Sequence, residues 1–334
     1  MSLLKEVEMK EITYLKAITE AVDEEMARDP TVFLMGEDVR AWGAPFGEFK
    51  GLFDKYGPKR VLDTPIDERV IIGVAVGAAT TGLRPIANIM FTEFLCVCMS
   101  EILNAVCKTR YMTGGKVKMP VTIMGYCGAG QSAAGEHSSC LDGALMRATG
   151  LKIAVPSTPY DVKGLIKSAI REDNPVIVPY HLNLIANGLK GEVPEKEYTI
   201  PLGKADIKRE GSDVTVVATY LMVHRALAAA DKLQKKGISL EVIDPRTLVP
   251  LDKKTIIDSV RKTGKLVIMD EEPITGSAAG EIAAIMAEEA FDLLDAPIKR
   301  VCAPDTPIPC SPPLEKLWMP DEEELIKAVT EICS

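Results

Sequence analysis

Short, wholly apolar runs alternate with helical stripes along almost the entire chain, and that alternation leaves few folds open. Thr31–Met35 (TVFLM), Ile86–Met90, Val121–Met124, Gly150–Val155 and Pro175–Val178 read as strands, with Ile12, Leu15, Ile18, Val22 and Met26 opening the helical pattern before them. The strands lack a period-two alternation of polar and apolar residues. Strands covered on both faces look like this, so the sheet is expected to be mainly parallel. Residues 183–202 break the rhythm with scattered Gly, Pro and mixed charge. A second alternation follows, with strands at Val214–Ala218, Ser239–Ile243, Lys265–Met269 and Lys299–Cys302 and helices between them. The expected architecture is α/β, with two doubly wound, mainly parallel-sheet domains over residues 1–190 and 203–334, joined by a linker at 191–202.

The remaining bulk properties narrow the function. A net charge of -9 without a long basic run argues against nucleic acid as a partner. No apolar stretch approaches a membrane span, and the N-terminal MSLLKEVEMKEITYLK lacks a secretory core, so a cytoplasmic protein is expected. The eight cysteines contain no C-x-x-C pair and read as reduced thiols, and no metal site is expected on this chain.

Chemistry is most concentrated between Val61 and Leu83, VLDTPIDERVIIGVAVGAATTGL. A short strand stops at Asp63-Thr64-Pro65, with Thr64 the expected N-cap and Pro65 the first residue of a buried helix. Gly73 and Gly77, four residues apart, would admit another backbone close to that helix. Glu68 sits at its mouth. Two readings of Glu68 stand side by side. One is a charge stabilised by the helix N-terminus, worth about 0.3–1 kcal/mol. The other is a carboxyl whose apolar neighbours Ile66, Val70, Ile71 and Ile72 oppose the helix dipole and hold it near neutrality, as a proton relay requires.

His137 lies in a Gly- and Ser-rich loop, GYCGAGQSAAGEHSSC, where an imidazole does not fill a core. Functional and structural roles are equally open for it, whereas His181 and His224 read as structural. Gly128 to Ala133 formally matches the dinucleotide fingerprint G-x-G-x-x-A, but no helical pattern follows, so the match is rejected. Ser138, Ser139 and Cys140 lack a G-x-S-x-G elbow, which leaves a hydrolase reading weak. The chain also lacks a P-loop or any other phosphate-gripping motif. A phosphorylated cofactor would need a second chain to hold its phosphates.

Seven blocks occurring in one order carry a family resemblance: GEDV at 36–39, RVLDTPIDE at 60–68, GVAVGAATTGLRPI at 73–86, YMTGG at 111–115, HS at 137–138, LKIAVPSTPYDVKGLIKSAIREDNPVI at 151–177 and VIDPRTLVPLD at 242–252. Together they resemble the β subunit of the thiamine-diphosphate-dependent E1 component of 2-oxo acid dehydrogenases, including the pyruvate, branched-chain and acetoin enzymes. The resemblance implies a pyrimidine-binding domain followed by a transketolase C-terminal-like domain. It also implies an α2β2 heterotetramer whose α subunit brings the diphosphate and Mg²⁺ site, a small 2-oxo acid or acetoin as substrate, and a lipoyl-bearing acyltransferase core. Residue by residue, it places Glu68 on the pyrimidine ring nitrogen of thiamine diphosphate, where it helps remove the thiazolium C2 proton. Met90 and Phe94 would pack on the pyrimidine, and His137 would stand at the active-site mouth. A split thiamine-dependent lyase or transketolase without lipoyl transfer, and a non-catalytic assembly subunit, are the other readings.

The chain departs from the usual family pattern at Arg69, Asn88, Glu101, Glu136 and Ser139. These departures bear on substrate and acceptor more than on the role of Glu68.

Overall fold

A computed structural model describes residues 8–334; part of the N-terminal stretch read above as lacking a secretory core, residues 1–7, lies outside the described residues. In chain order the strands are β1 (Met9–Thr13), β2 (Val32–Gly36), β3 (Val61–Asp63), β4 (Arg84–Phe91), β5 (Thr122–Cys127), β6 (Lys152–Ala154), β7 (Val176–His181) and β8 (Lys190–Pro194). They continue as β9 (Asp206–Arg209), β10 (Val214–Ala218), β11 (Leu240–Asp244), β12 (Thr247–Val249), β13 (Leu266–Pro273) and β14 (Lys299–Ala303). The seven-stranded sheet runs β12-β6-β7-β5-β4-β2-β3 and the five-stranded sheet β14-β13-β10-β11-β9. Each is parallel except at one edge, where β12 and β9 pair antiparallel. Helices cover the sheets, and the wholly buried strands β2, β5, β7, β10 and β11 account for the continuous apolar runs.

Two pairings cross the boundary expected from composition. β8 occupies the start of the expected linker and forms an antiparallel ribbon with β1. β12, far into the second half of the chain, completes the edge of the first sheet beside β6. One apolar cluster accordingly runs without a break from Ile71 and Ile123 through Ile153 to Leu248, Leu266 and Ala278. The two sheets share this core, so their relative placement is set by side-chain packing as well as by the connecting chain.

The helix expected after Pro65 differs from its expected form. Thr64 does not cap it: its backbone N–H still donates to Gly36 O at 3.0 Å, continuing the sheet, and its Oγ1 is buried without a partner. The helix, α1 here, spans Glu68–Thr80, and Asp67 is the N-cap, accepting from the backbone N–H groups of Arg69 (3.1 Å) and Val70 (3.2 Å). Sheet pairing holds residue 64, so the helix starts three residues after Pro65 and Glu68 becomes its first residue. Nor is the helix buried all round. Ile71, Ile72, Ala75 and Ala79 face the core, while Ile66, Val70 and Val74 are exposed. A Cβ on Gly73 or Gly77 would meet nothing within 4 Å, so among the described residues no backbone uses the close approach those glycines permit.

Candidate active site

The connections after β2 and β4 leave in opposite directions, β2 toward β3 and β4 toward β5. In an open parallel sheet the crevice at the carboxyl ends of two such strands is the preferred ligand site. Here that crevice lies between Gly36-Glu37 at the end of β2 and Met90-Phe91 at the end of β4.

One side of the crevice is acidic. Glu68 is 8% exposed at the first turn of α1, and Glu37 is 6% exposed. Burial pushes the Glu37 carboxyl above its usual range, and the charges of Glu68 and Asp38 push it further. Glu37 Oε1 and Glu101 Oε2 are buried with no hydrogen-bond partner among the described residues. Cys98 lies close by, its thiol pushed up to about 12 by burial and then by the charges of Glu101 and Glu68. Unpartnered carboxylate oxygens in one crevice call for a ligand carrying donors. The expectation that Ile66 and Val70 desolvate Glu68 fails, because both point outward; Ile71, Ile72 and the neighbouring acids form its surroundings instead.

The other side is aromatic. Met90 sits in a bulge: Asn88 and Phe91 face Met124 and Tyr126 on β5, so one extra residue is inserted, and Met90 takes a left-handed backbone with φ 55°. Gly125 on β5 accommodates the bulge, since a Cβ there would lie 3.1 Å from Met90 O. A 3₁₀ helix over Thr92–Cys98 carries Phe94, and another over Gly135–His137 carries His137. The His137 ring meets Phe91 edge-on at 4.6 Å and Phe94 at 5.4 Å between centroids. Phe94 and His137 thus converge on Phe91, next to the Met90 bulge, while Glu68 belongs to the acidic group. Ser138 Oγ is buried without a partner and Ser139 Oγ donates to Gly135 O at 3.0 Å, so His137 activates neither hydroxyl.

The loop that carries His137 is anchored by carboxylates from the second half of the chain, which sequence reasoning missed. Glu271 Oε1 accepts from Ala129 N at 2.5 Å and Glu272 accepts from Gly143 N at 3.0 Å. Glu315 accepts from Gly130 N and Ser132 N, each at 2.9 Å. His181, buried at the end of β7, pairs with Glu271 at 2.8 Å in a structural role. The run Asp270-Glu271-Glu272 at the end of an apolar strand was the available signal. All three acids are buried in the structure.

Comparison with known proteins agrees with this geometry. Residues 10–186 match the transketolase pyrimidine binding domain, and residues 203–325 match the transketolase C-terminal domain. The chain is 48% identical to the β subunit of acetoin:2,6-dichlorophenolindophenol oxidoreductase from Cupriavidus necator, over 93% of this chain and 94% of that protein. It is 45% identical to the β subunit of the pyruvate dehydrogenase E1 component from Rickettsia felis, over 97% of this chain and 98% of that one. Among solved structures, a split-gene transketolase described as an inactive β4 tetramer superposes with a TM-score of 0.78 at 26% identity, covering 96% of this chain and 98% of its own. Both domains, the strand-end crevice and the near-complete coverage lead to one conclusion: the chain belongs to the transketolase-like family, among the β subunits of the E1 enzymes that act on 2-oxo acids and acetoin.

Proposed function

We propose that this chain is the pyrimidine-binding half of a thiamine-diphosphate enzyme that, with an α subunit in an α2β2 assembly, decarboxylates a small 2-oxo acid or cleaves acetoin and passes the acyl unit to a lipoyl-bearing acyltransferase. The observation that supports this reading is the strand-end crevice at the switch point of the sheet, with the buried carboxylates Glu37 and Glu68 beyond the end of β2 and the Phe91–Phe94–His137 cluster beyond the end of β4. Such a site fits a flat heteroaromatic ring bearing ring nitrogens and an amino group, and the orphaned acid oxygens supply acceptors for it. It does not fit a diphosphate, since no phosphate-gripping loop borders it. The α subunit would supply that grip together with Mg²⁺.

Thiamine diphosphate, when bound, supplies the carbanion chemistry that cleaves the bond beside the substrate carbonyl. The chain's own residues do the positioning and the proton handling. Glu68 handles the proton at the pyrimidine ring nitrogen. Met90 and Phe94 fix the ring plane, and His137 stands over Phe91 and Phe94 at the entrance, where it handles substrate and acyl groups. The exposed apolar face of α1 around Gly73 and Gly77 is a surface suited to a partner subunit. Among the described residues no helix is long and apolar enough to cross a membrane, and a cytoplasmic location suits the eight free cysteines. A split transketolase-like enzyme without lipoyl transfer is the second reading, favoured by the structural match to a split-gene transketolase.

The test is a reconstituted heteromer assayed against 2-oxo acids and acetoin, with and without a lipoyl acceptor. Turnover with one of these substrates and acyl transfer to lipoyl are expected; transfer only to sugar aldehydes would favour the second reading. In the same assay His137→Ala is expected to leave C2–H exchange of bound cofactor within about threefold of wild type while lowering acyl transfer about 10²-fold or more. Equal loss of exchange and transfer would place His137 in cofactor activation instead.

A further inference from the structure

We propose that Glu48 is a positioning residue for the pyrimidine site: through Tyr180 and Asn88 it holds the Met90 bulge, and through Tyr126 it supports the edge-on contact of Phe91 with His137. The inference rests on the reading of the crevice as a thiamine-diphosphate site.

Glu48 lies in the irregular segment between β2 and β3 and is fully buried. No basic side chain among the described residues pairs with it. Its Oε1 instead accepts hydrogen bonds from the hydroxyls of Tyr126 and of Tyr180, the latter at 3.2 Å, and its Oε2 has no partner. A carboxyl in this setting is costly to bury, and burial pushes it up to about 7. An apolar side chain would be cheaper there, so what the carboxyl holds becomes the informative question.

The hydrogen-bond directions answer it. Tyr180 has one hydroxyl proton, and Glu48 takes it. The tyrosine oxygen can then only accept from Asn88, whose Nδ2 lies 2.7 Å away. That fixes the amide orientation of Asn88 and turns its Oδ1 toward Met90, where it accepts from the backbone N–H at 3.1 Å. Met90 is the residue whose backbone is left-handed, and the Asn88 side chain is what satisfies its N–H inside the bulge. Without Glu48 the Tyr180 hydroxyl is free to donate to Asn88 Oδ1. The amide then flips, presents its NH₂ to Met90 N–H, and leaves that donor unpaired.

A second branch starts from the same oxygen. Tyr126 donates to Glu48, and its ring lies 5.3 Å from that of Phe91 and 4.9 Å from that of Tyr180. Phe91 in turn meets His137 and Phe94. One buried carboxyl therefore orients both the bulge that presents Met90 and the ring that backs the entrance histidine.

The experiment uses the assembled heteromer and titrates thiamine diphosphate with Mg²⁺ by calorimetry. Glu48→Leu and Tyr180→Phe are each expected to weaken binding about tenfold or more, the size of one lost buried hydrogen bond. Glu48→Gln retains an acceptor oxygen and should stay within about threefold of wild type. Tyr180→Phe leaves Asn88 Nδ2 without its acceptor, so the amide is no longer held whether or not Glu48 is present, and the double variant should be no worse than Glu48→Leu alone. Should Glu48→Leu fail to assemble, Tyr180→Phe and Glu48→Gln decide the matter by the same criteria. Wild-type affinity in Tyr180→Phe, a Glu48→Gln loss as large as that of Glu48→Leu, or additive losses would overturn the assignment. Absence of binding to the wild-type heteromer would instead overturn the cofactor reading itself, and is seen before any variant is made.

Discussion

Replacing Glu68 with glutamine is expected to slow C2–H exchange of bound thiamine diphosphate, and turnover with it, by about 10²–10⁴-fold, the range for loss of a positioned acid–base group. The substitution keeps the shape and the helix start, since the cap is made by Asp67 and not by Glu68. It removes only the ionisable oxygen. The fold should be no less stable, because burial and then the Glu68 charge push the Glu37 carboxyl upward, and a neutral amide relieves that repulsion. An unchanged or raised melting temperature together with the slowed exchange is the expected pair of results. Near-normal exchange in a well-folded heteromer would return Glu68 to a helix-start charge.

The second large effect is structural. Gly128 follows β5 with φ 90°, and a Cβ there would lie 2.1 Å from His181 Nε2. Gly128→Ala has to displace the buried imidazole from Glu271, which also holds the backbone of Ala129 at the base of the His137 loop. Leaving a buried hydrogen-bonding group unpaired costs about 1–3 kcal/mol, and the left-handed backbone adds about 1–2 kcal/mol. Denaturant unfolding should show a loss of that size. Gly188→Ala is the control, with φ 62° and nothing within 4 Å of its Cβ, and should show only the backbone part. Equal losses in the two variants would mean that the His181–Glu271 pair is not what Gly128 protects.

How far the sequence foretold this structure depended on whether a feature was local. The apolar strands and the helices after them were legible because each carries its own period. β12 was not: three residues inside VIDPRTLVPLD show no pattern, and only pairing with β6 makes them a strand. β1 was absorbed into the helical stripe because Ile12 happens to fall in register with Leu15 and Ile18, and β8 was masked by its Gly and Pro. The local sequence favours Thr64 as a cap, because the choice between Thr64 and Asp67 is made by sheet pairing to Gly36, which lies far away in the chain.

The candidate site divides the same way. Glu68 and His137 stand out in the sequence as polar groups among apolar or small neighbours, and Met90 and Phe94 came only with the family resemblance. Glu48 was invisible, since its meaning comes from two tyrosines and an asparagine on three different strands. The anchoring of the His137 loop by Glu271, Glu272 and Glu315 was equally hidden, because those acids arrive from the other sheet and from a late helix. The departures resolve unevenly: Arg69 and Glu136 are exposed, whereas Asn88 is buried in the network that holds Met90.

The central claim is that this chain is half of a cofactor site, and a single titration addresses it most directly. Thiamine diphosphate is titrated with Mg²⁺ by calorimetry into the isolated chain and into the chain assembled with its α partner. On the proposed reading the crevice takes the pyrimidine side, and the described residues supply no diphosphate grip, so the isolated chain should show no saturable Mg²⁺-dependent binding and the heteromer should bind tightly. Tight, Mg²⁺-dependent binding to the isolated chain would contradict the account.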